Sequence, residues 1–189
     1  MEVAHRQNRW QMVVDYTTAL TQSCFSQGRY AEARCAFCWV NDAALALNDE
    51  TCIANNQLAW GEACLEQNDY DEANRHLGEC LRIGRRLAYD HVIADAQYHL
   101  ARIAIEQNQF DKAEKWLTAC LSIREQSGDR RGVAAIQNQQ AVLYYAQDKF
   151  EDAKQLGEKA LAQQESLQDK RADTHLAALG PHGEQSANS

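Results

Sequence analysis

The chain has 189 residues and a formal net charge of −8, enough length for one substantial core or a short array of stacked units. That acidic balance argues against general binding to nucleic acid or anionic membrane, both of which need clustered cations, while leaving room for a local basic patch. A single proline, nine glycines and many Ala, Gln, Glu and Leu residues favour helix throughout, because these side chains lose little rotamer freedom there.

In chain order, residues 1–8 read as an N-terminal extension. The opening "MEVAHRQNRWQMVVDYTTAL" scatters its charges and has no apolar core of signal-peptide length. Nothing later approaches the roughly 20 apolar residues needed to span a bilayer, so a cytoplasmic location is expected. A first helical hairpin is predicted over residues 9–48, with Trp10 at its open end. Seven cysteines, an odd count in a helix-rich chain, point to reduced thiols. Cys35 and Cys38 form a C-x-x-C pair open to reading as a metal half-site or a redox dithiol. No second pair completes a zinc site, and their place inside a helix between Ala33 and Val40 points to buried or half-buried structural thiols.

Three more hairpins are predicted over 49–88, 89–128 and 129–168. The stretch "EQNDYDEANRHLGECL" from Glu66 returns forty residues later as "EQNQFDKAEKWLTACL" from Glu106. The same interval separates Gln27, Gln67, Gln107 and Gln147; Tyr30, Tyr70, Phe110 and Phe150; and Ala33, Ala73, Ala113 and Ala153. A fixed period of this length marks units that stack into one continuous core. Within a unit, Ala94, Tyr98, Ala101 and Ile105 share one helical stripe, and a second stripe starts at Phe110. The turn between the two falls at Gly28, Asn68, Asn108 and Asp148, residue types that tolerate a left-handed helix end. The stretch from Asp169 parallels that from Asp129, so residues 169–180 are expected to form a capping helix ended by Gly180 and Pro181, with a disordered tail over 181–189.

Residues able to carry chemistry are sparse. The histidines at positions 5, 76, 91, 99, 175 and 182 show no spacing suited to a metal or a catalytic triad. His99 points near an inner face, but with no positioned partner it reads as a helix-surface histidine. Cys64, Cys80 and Cys120 sit in small-residue columns, and Trp39, Trp60 and Trp116 fall on packing stripes. Arg82, Arg85, Arg86, Arg124, Arg130, Arg131, Lys170 and Arg171 cluster near the ends of second helices and the connectors after them. Two readings stay open there: interaction with the negative ends of helix dipoles, or a basic ridge for an acidic partner.

Aromatic followed three residues later by alanine, with a small residue in the facing helix, resembles the tetratricopeptide repeat over about residues 14–168. The family's opening pattern is degraded to Trp60, Gly61 and Cys64; Leu100, Ala101 and Ala104; and Gln140, Ala141 and Tyr144, and its closing proline is absent. The long period and the "GDRRG" connector at Gly128–Gly132 are similar to the extended-helix variant of kinesin-light-chain-like proteins, polarity adaptors and bacterial regulatory arrays. The resemblance implies an all-α, right-handed α-solenoid of four hairpins plus a capping helix, its first helices lining a concave face. Carried over by register, that face would present Asn55, Leu58, Glu62 and Leu65; Asp95, Tyr98, Arg102 and Ile105; and Asn138, Val142 and Tyr145. Such a trough suits an extended or helical peptide, with Tyr98 and Tyr145 supplying rigid apolar area; inter-repeat core is the other reading of each position. Chaperone-binding relatives hold a C-terminal carboxylate at registers occupied here by Thr18, Gln22, Asn55, Ala59, Asp95 and His99, of which only the asparagine fits.

The expected function is a non-enzymatic adaptor or scaffold that binds a protein segment in the groove, with no cofactor, no metal, no nucleic acid and no membrane. A sensor or regulatory domain of a larger signalling or transcription-regulatory protein is the alternative, and self-association through the ends of the array is a further one.

Overall fold

Among the described residues, seven with positive φ punctuate the chain at intervals of twenty: Gly28, Asn48, Asn68, Ala88, Asn108, Gly128 and Asp148. Each ends one helix and aims the next back along it. The computed structural model describes residues 10–12, 14, 23, 24 and 27–178, with 30, 31 and 167–178 described by backbone alone. Seven helices have described bounds: α1 (Tyr30–Leu47), α2 (Glu50–Glu66), α3 (Tyr70–Leu87), α4 (Asp90–Glu106), α5 (Phe110–Gln126), α6 (Arg130–Ala146) and α7 (Phe150–Ala178). No strand occurs among the described residues. The N-terminal extension over 1–8, Thr18, Gln22 and the expected tail over 181–189 lie outside them.

Glycine and asparagine adopt the left-handed turn at little cost, whereas Ala88 at φ 50 costs about 1–2 kcal/mol. Tertiary packing of α3 on α4 holds that turn, aided by the Tyr89 amide donating to the Gly84 carbonyl at 2.9 Å. Three of the following helices are then capped by an aspartate. Asp49 accepts from the Cys52 amide at 2.9 Å, Asp69 from the Glu72 amide at 3.3 Å and Asp129 from the Gly132 amide at 2.9 Å, each satisfying a donor the first helical turn leaves free.

Helices pair in sequence as α2/α3, α4/α5 and α6/α7. The pairs stack through α3 on α4 and α5 on α6, and α4 touches both α2 and α6. The small-residue columns form the seams: Ala33, Ala73 and Ala113 are buried, as are Ala54, Ala94 and Ala134. Leu77, Leu117, Cys80, Cys120 and Ala160 are buried as well, and Cys120 Sγ donates to the Ala94 carbonyl within its own hairpin at 3.1 Å. Burial fades toward the end of the stack: Leu81 is buried, Leu121 is half-buried and Leu161 is 55% exposed.

Two glycines show how closely the seams are fitted. A Cβ on Gly61 would lie 2.6 Å from Leu77 Cγ, whereas one on Gly78 would meet nothing within 4 Å. Gly61→Ala is therefore expected to destabilise by about 1–3 kcal/mol through overpacking. Gly78→Ala should stabilise by roughly 1 kcal/mol, the ordinary gain in a helix interior. Urea denaturation of both variants checks this, and equal effects would refute the close α2–α3 approach.

One element differs from expectation. Residues 169–178 do not begin a separate capping helix but continue α7, which runs unbroken for 29 residues. The register that holds Asn48, Ala88 and Gly128 holds Gln168 here, beside helix-forming Leu167 and Lys170. With no residue favouring positive φ, only tertiary contacts would enforce a reversal, as they do at Ala88.

Candidate functional site

The face built by α2, α4 and α6 carries most of the groove positions expected from register. Asn55, Glu62, Val142 and Tyr145 are exposed, and Leu58, Asp95, Tyr98, Arg102 and Asn138 are half-buried. Leu65 and Ile105 are corrections: at 5% and 6% exposure they belong to the core, because the last turn of each first helix tucks beneath the reversal at Asn68 or Asn108.

The α2 and α4 positions converge on one another. Arg102 reaches across to Glu66 at 3.2 Å. Although Glu62 is exposed, partial desolvation by the surrounding protein first, then the neighbouring Glu66, raises its pKa, and Arg102 opposes both. Burial likewise raises that of the Tyr98 hydroxyl. The α6 positions form a separate patch, in which Tyr145 meets Phe150 edge-on with ring centroids 5.3 Å apart. Phe150 is half in solvent, whereas its repeat equivalents Tyr70 and Phe110 are half-buried and packed against the core.

Between α4, α5 and α6 the same face opens into a cavity of about 340 Å³, whose walls include Asp95, Tyr98, His99, Arg124, Arg131 and Ile136. His99 corrects the surface reading: it is 9% exposed, and its Nδ1 has no hydrogen-bond partner among the described residues. Burial first, then Arg102, pushes its pKa down to about 4, so the ring is neutral at pH 7.

Arg124 anchors the cavity wall. It bonds Asp95 on α4 and reaches Asp129, the cap of α6, at 2.8 Å. Asp95 is held on its other oxygen by His91 at 2.7 Å. The repeat equivalents of Arg124 are Ala44, Gly84 and Gln164, so a charge in a column of small or neutral residues was the sequence signal for this junction. On its other side Arg124 borders a second cavity of about 650 Å³ lined by Arg130 and Lys159. The basic positions split accordingly. Arg82 pairs with Glu79 at 2.6 Å and Arg86 with Glu50 at 2.7 Å, while Arg85, Arg130 and Arg131 have no ion-pair partner among the described residues.

The cysteines divide sharply. Cys64, Cys80 and Cys120 are buried, and burial pushes the Cys80 thiol up to about 12 and the Cys120 thiol to about 11, leaving both unreactive at neutral pH. Cys35 and Cys38 are exposed, against expectation, and so is Trp39 at 55%. Their repeat equivalents explain why: Arg75, Lys115 and Gln155; Gly78, Thr118 and Glu158; Glu79, Ala119 and Lys159. These columns form the outward stripe of every second helix, and only α1 fills it with apolar side chains.

A family model of the tetratricopeptide repeat matches residues 50–126 and again 92–166. The chain belongs to the tetratricopeptide repeat family. Such repeats generally serve as non-catalytic scaffolds that mediate protein–protein interaction. The crystal structure of BtubC (BKLC) from P. vanneervenii is similar with a TM-score of 0.66 and 14% identity, over 100% of this chain and 97% of that one. At that identity the likeness concerns the fold alone. No curated protein matches the chain by sequence. Among the described residues of this tetratricopeptide repeat chain, no helix is long and apolar enough to cross a membrane.

Proposed function

We propose that the chain is a non-enzymatic cytoplasmic adaptor that holds a protein segment in a concave groove lined by α2, α4 and α6. One observation carries this reading. Tyr98, a half-exposed aromatic, stands on the first-helix face between the Arg102–Glu66 pair and the cavity floored by His99. A rigid aromatic beside fixed charges and a recess is the composition of an interface hot spot. Asn55, Glu62, Asp95, Asn138, Val142 and Tyr145 extend the contact along the array, with Leu58 at its margin.

The test compares wild type with Tyr98→Ala/Arg102→Glu in affinity purification from native lysate, after circular dichroism shows that the variant folds. A partner recovered by wild type is expected to be lost by the variant. Titration with that partner's binding segment should weaken by about 2 kcal/mol, close to thirtyfold. Equal recovery by both proteins would place recognition on another surface.

A further inference from the structure

We infer that the cavity between α4, α5 and α6 is a binding site for a carboxylate carried on a short apolar stem. Its polar lining has donors in excess. Arg124 spends two N–H groups on Asp95 and Asp129, and Arg131 has no ion-pair partner among the described residues. Asp95, the one carboxylate in the wall, is already engaged on both oxygens by Arg124 and His91. His99 also lines the cavity, although its unpartnered Nδ1 lies beneath the surface and does not face the space. A carboxylate fits this lining: it accepts from Arg131 and from the spare Arg124 donors, and it gives the Arg131 guanidinium the acidic partner it lacks.

The stem follows from the remaining walls. Ala135, Ile136 and the Cys120 thiol, whose Sγ donates to the Ala94 carbonyl at 3.1 Å, offer methylene-sized apolar contact. The volume of about 340 Å³ has room for roughly ten water-sized groups, the scale of one acidic side chain or a small organic acid. The site differs from one built on first helices alone, because Arg124 comes from a second helix and has no charged equivalent in the other hairpins. As the side chain of an acidic residue in a bound segment, the carboxylate rests on the groove reading above; as a free acid it does not.

The experiment is an NMR titration of the full chain at pH 7, following the His99 ring and the Arg131 Nε–H. Three probes are used: N-acetyl-glutamate N-methylamide, its glutamine counterpart, and glutarate. The expected result is saturable movement of both signals with the glutamate probe, binding at least tenfold weaker for the glutamine probe, and an upward shift of the His99 titration in the complex. Arg131→Gln, at an exposed position without an ion-pair partner, should leave the fold intact and weaken acid binding about tenfold. Preference for the glutamate probe identifies a segment's side chain as the source, and preference for glutarate identifies a free acid. Equal binding of the acid and amide probes, or no movement of His99 with any of them, overturns the site. Loss of a lysate partner from the Tyr98 variant is read separately, so the groove can stand where the carboxylate site fails.

Discussion

Acidification from pH 7 to pH 4 is expected to remove several kcal/mol of stability through two buried imidazoles. His76 is 2% exposed, stacked on Trp60 with ring centroids 4.1 Å apart, and its Nδ1 lies 2.6 Å from Gln57 Oε1. Burial first, then Arg75, with Arg34 adding to it, holds its pKa down at about 4 against the opposing pull of Glu72. His99 sits at about 4 through burial and Arg102, opposed by Glu66. The ordinary value for both is 6.5. Between 6.5 and 4 the unfolded chain therefore binds protons that the native state refuses, so stability is full above that window, falls as pH drops through it, and loses nothing more from these groups below it. Each histidine contributes at most about 3 kcal/mol to the fall. The salt-bridged Glu72 and Glu79, whose pKa values are lowered from 4.5 by Arg75 and Arg82, act lower on the pH scale. Urea midpoints at each pH, for wild type and for His76→Gln/His99→Gln, check the assignment. The variant should be less stable at pH 7 but flatter across the window. An unchanged slope would mean that other groups drive acid unfolding.

The second large effect belongs to Arg124. Its side chain is 12% exposed, and it faces carboxylates on α4 and at the cap of α6. Arg124→Met keeps the length of the stem but leaves two half-buried acids across the third and fourth hairpins without their common cation. A loss of about 3 kcal/mol is expected, since removing one partner of a buried pair strands the other. Arg82→Ala, which breaks an exposed pair one turn apart, should cost under about 1 kcal/mol. Adding Asp95→Asn to Arg124→Met should restore part of the loss, because the stranded charge is then gone. If the Arg124 and Arg82 variants are equally stable, the junction is not held by its charges.

Much of the fold was legible because the period repeats physical requirements. Ala73 and Ala113 recur where helices touch, and Asn68, Asn108 and Asp148 recur where the chain turns with positive φ. The same logic, pressed further, would have placed Cys35, Cys38 and Trp39 outside, since their columns are otherwise filled by Arg75, Lys115, Glu79 and Lys159. The candidate site was less legible. Register named the α4 face through Asp95, Tyr98 and Arg102, yet it missed His99 as a buried group and Arg124 as its neighbour, because the cavity arises from three helices and a second-helix residue that only this hairpin carries.

The sequence by itself determined the all-helical class, the hairpin unit and the positions of its seams and turns, because local propensity and a fixed period need no knowledge of distant contacts. Tertiary structure alone decided what each register position became. Leu65 and Ile105 were drawn into the core, Leu161 was left in solvent while Leu81 was buried, and α7 ran straight where α3 turned at Ala88. Periodicity fixes the side of a helix on which a residue lies. Whether that side meets a neighbouring hairpin or water depends on what is stacked against it.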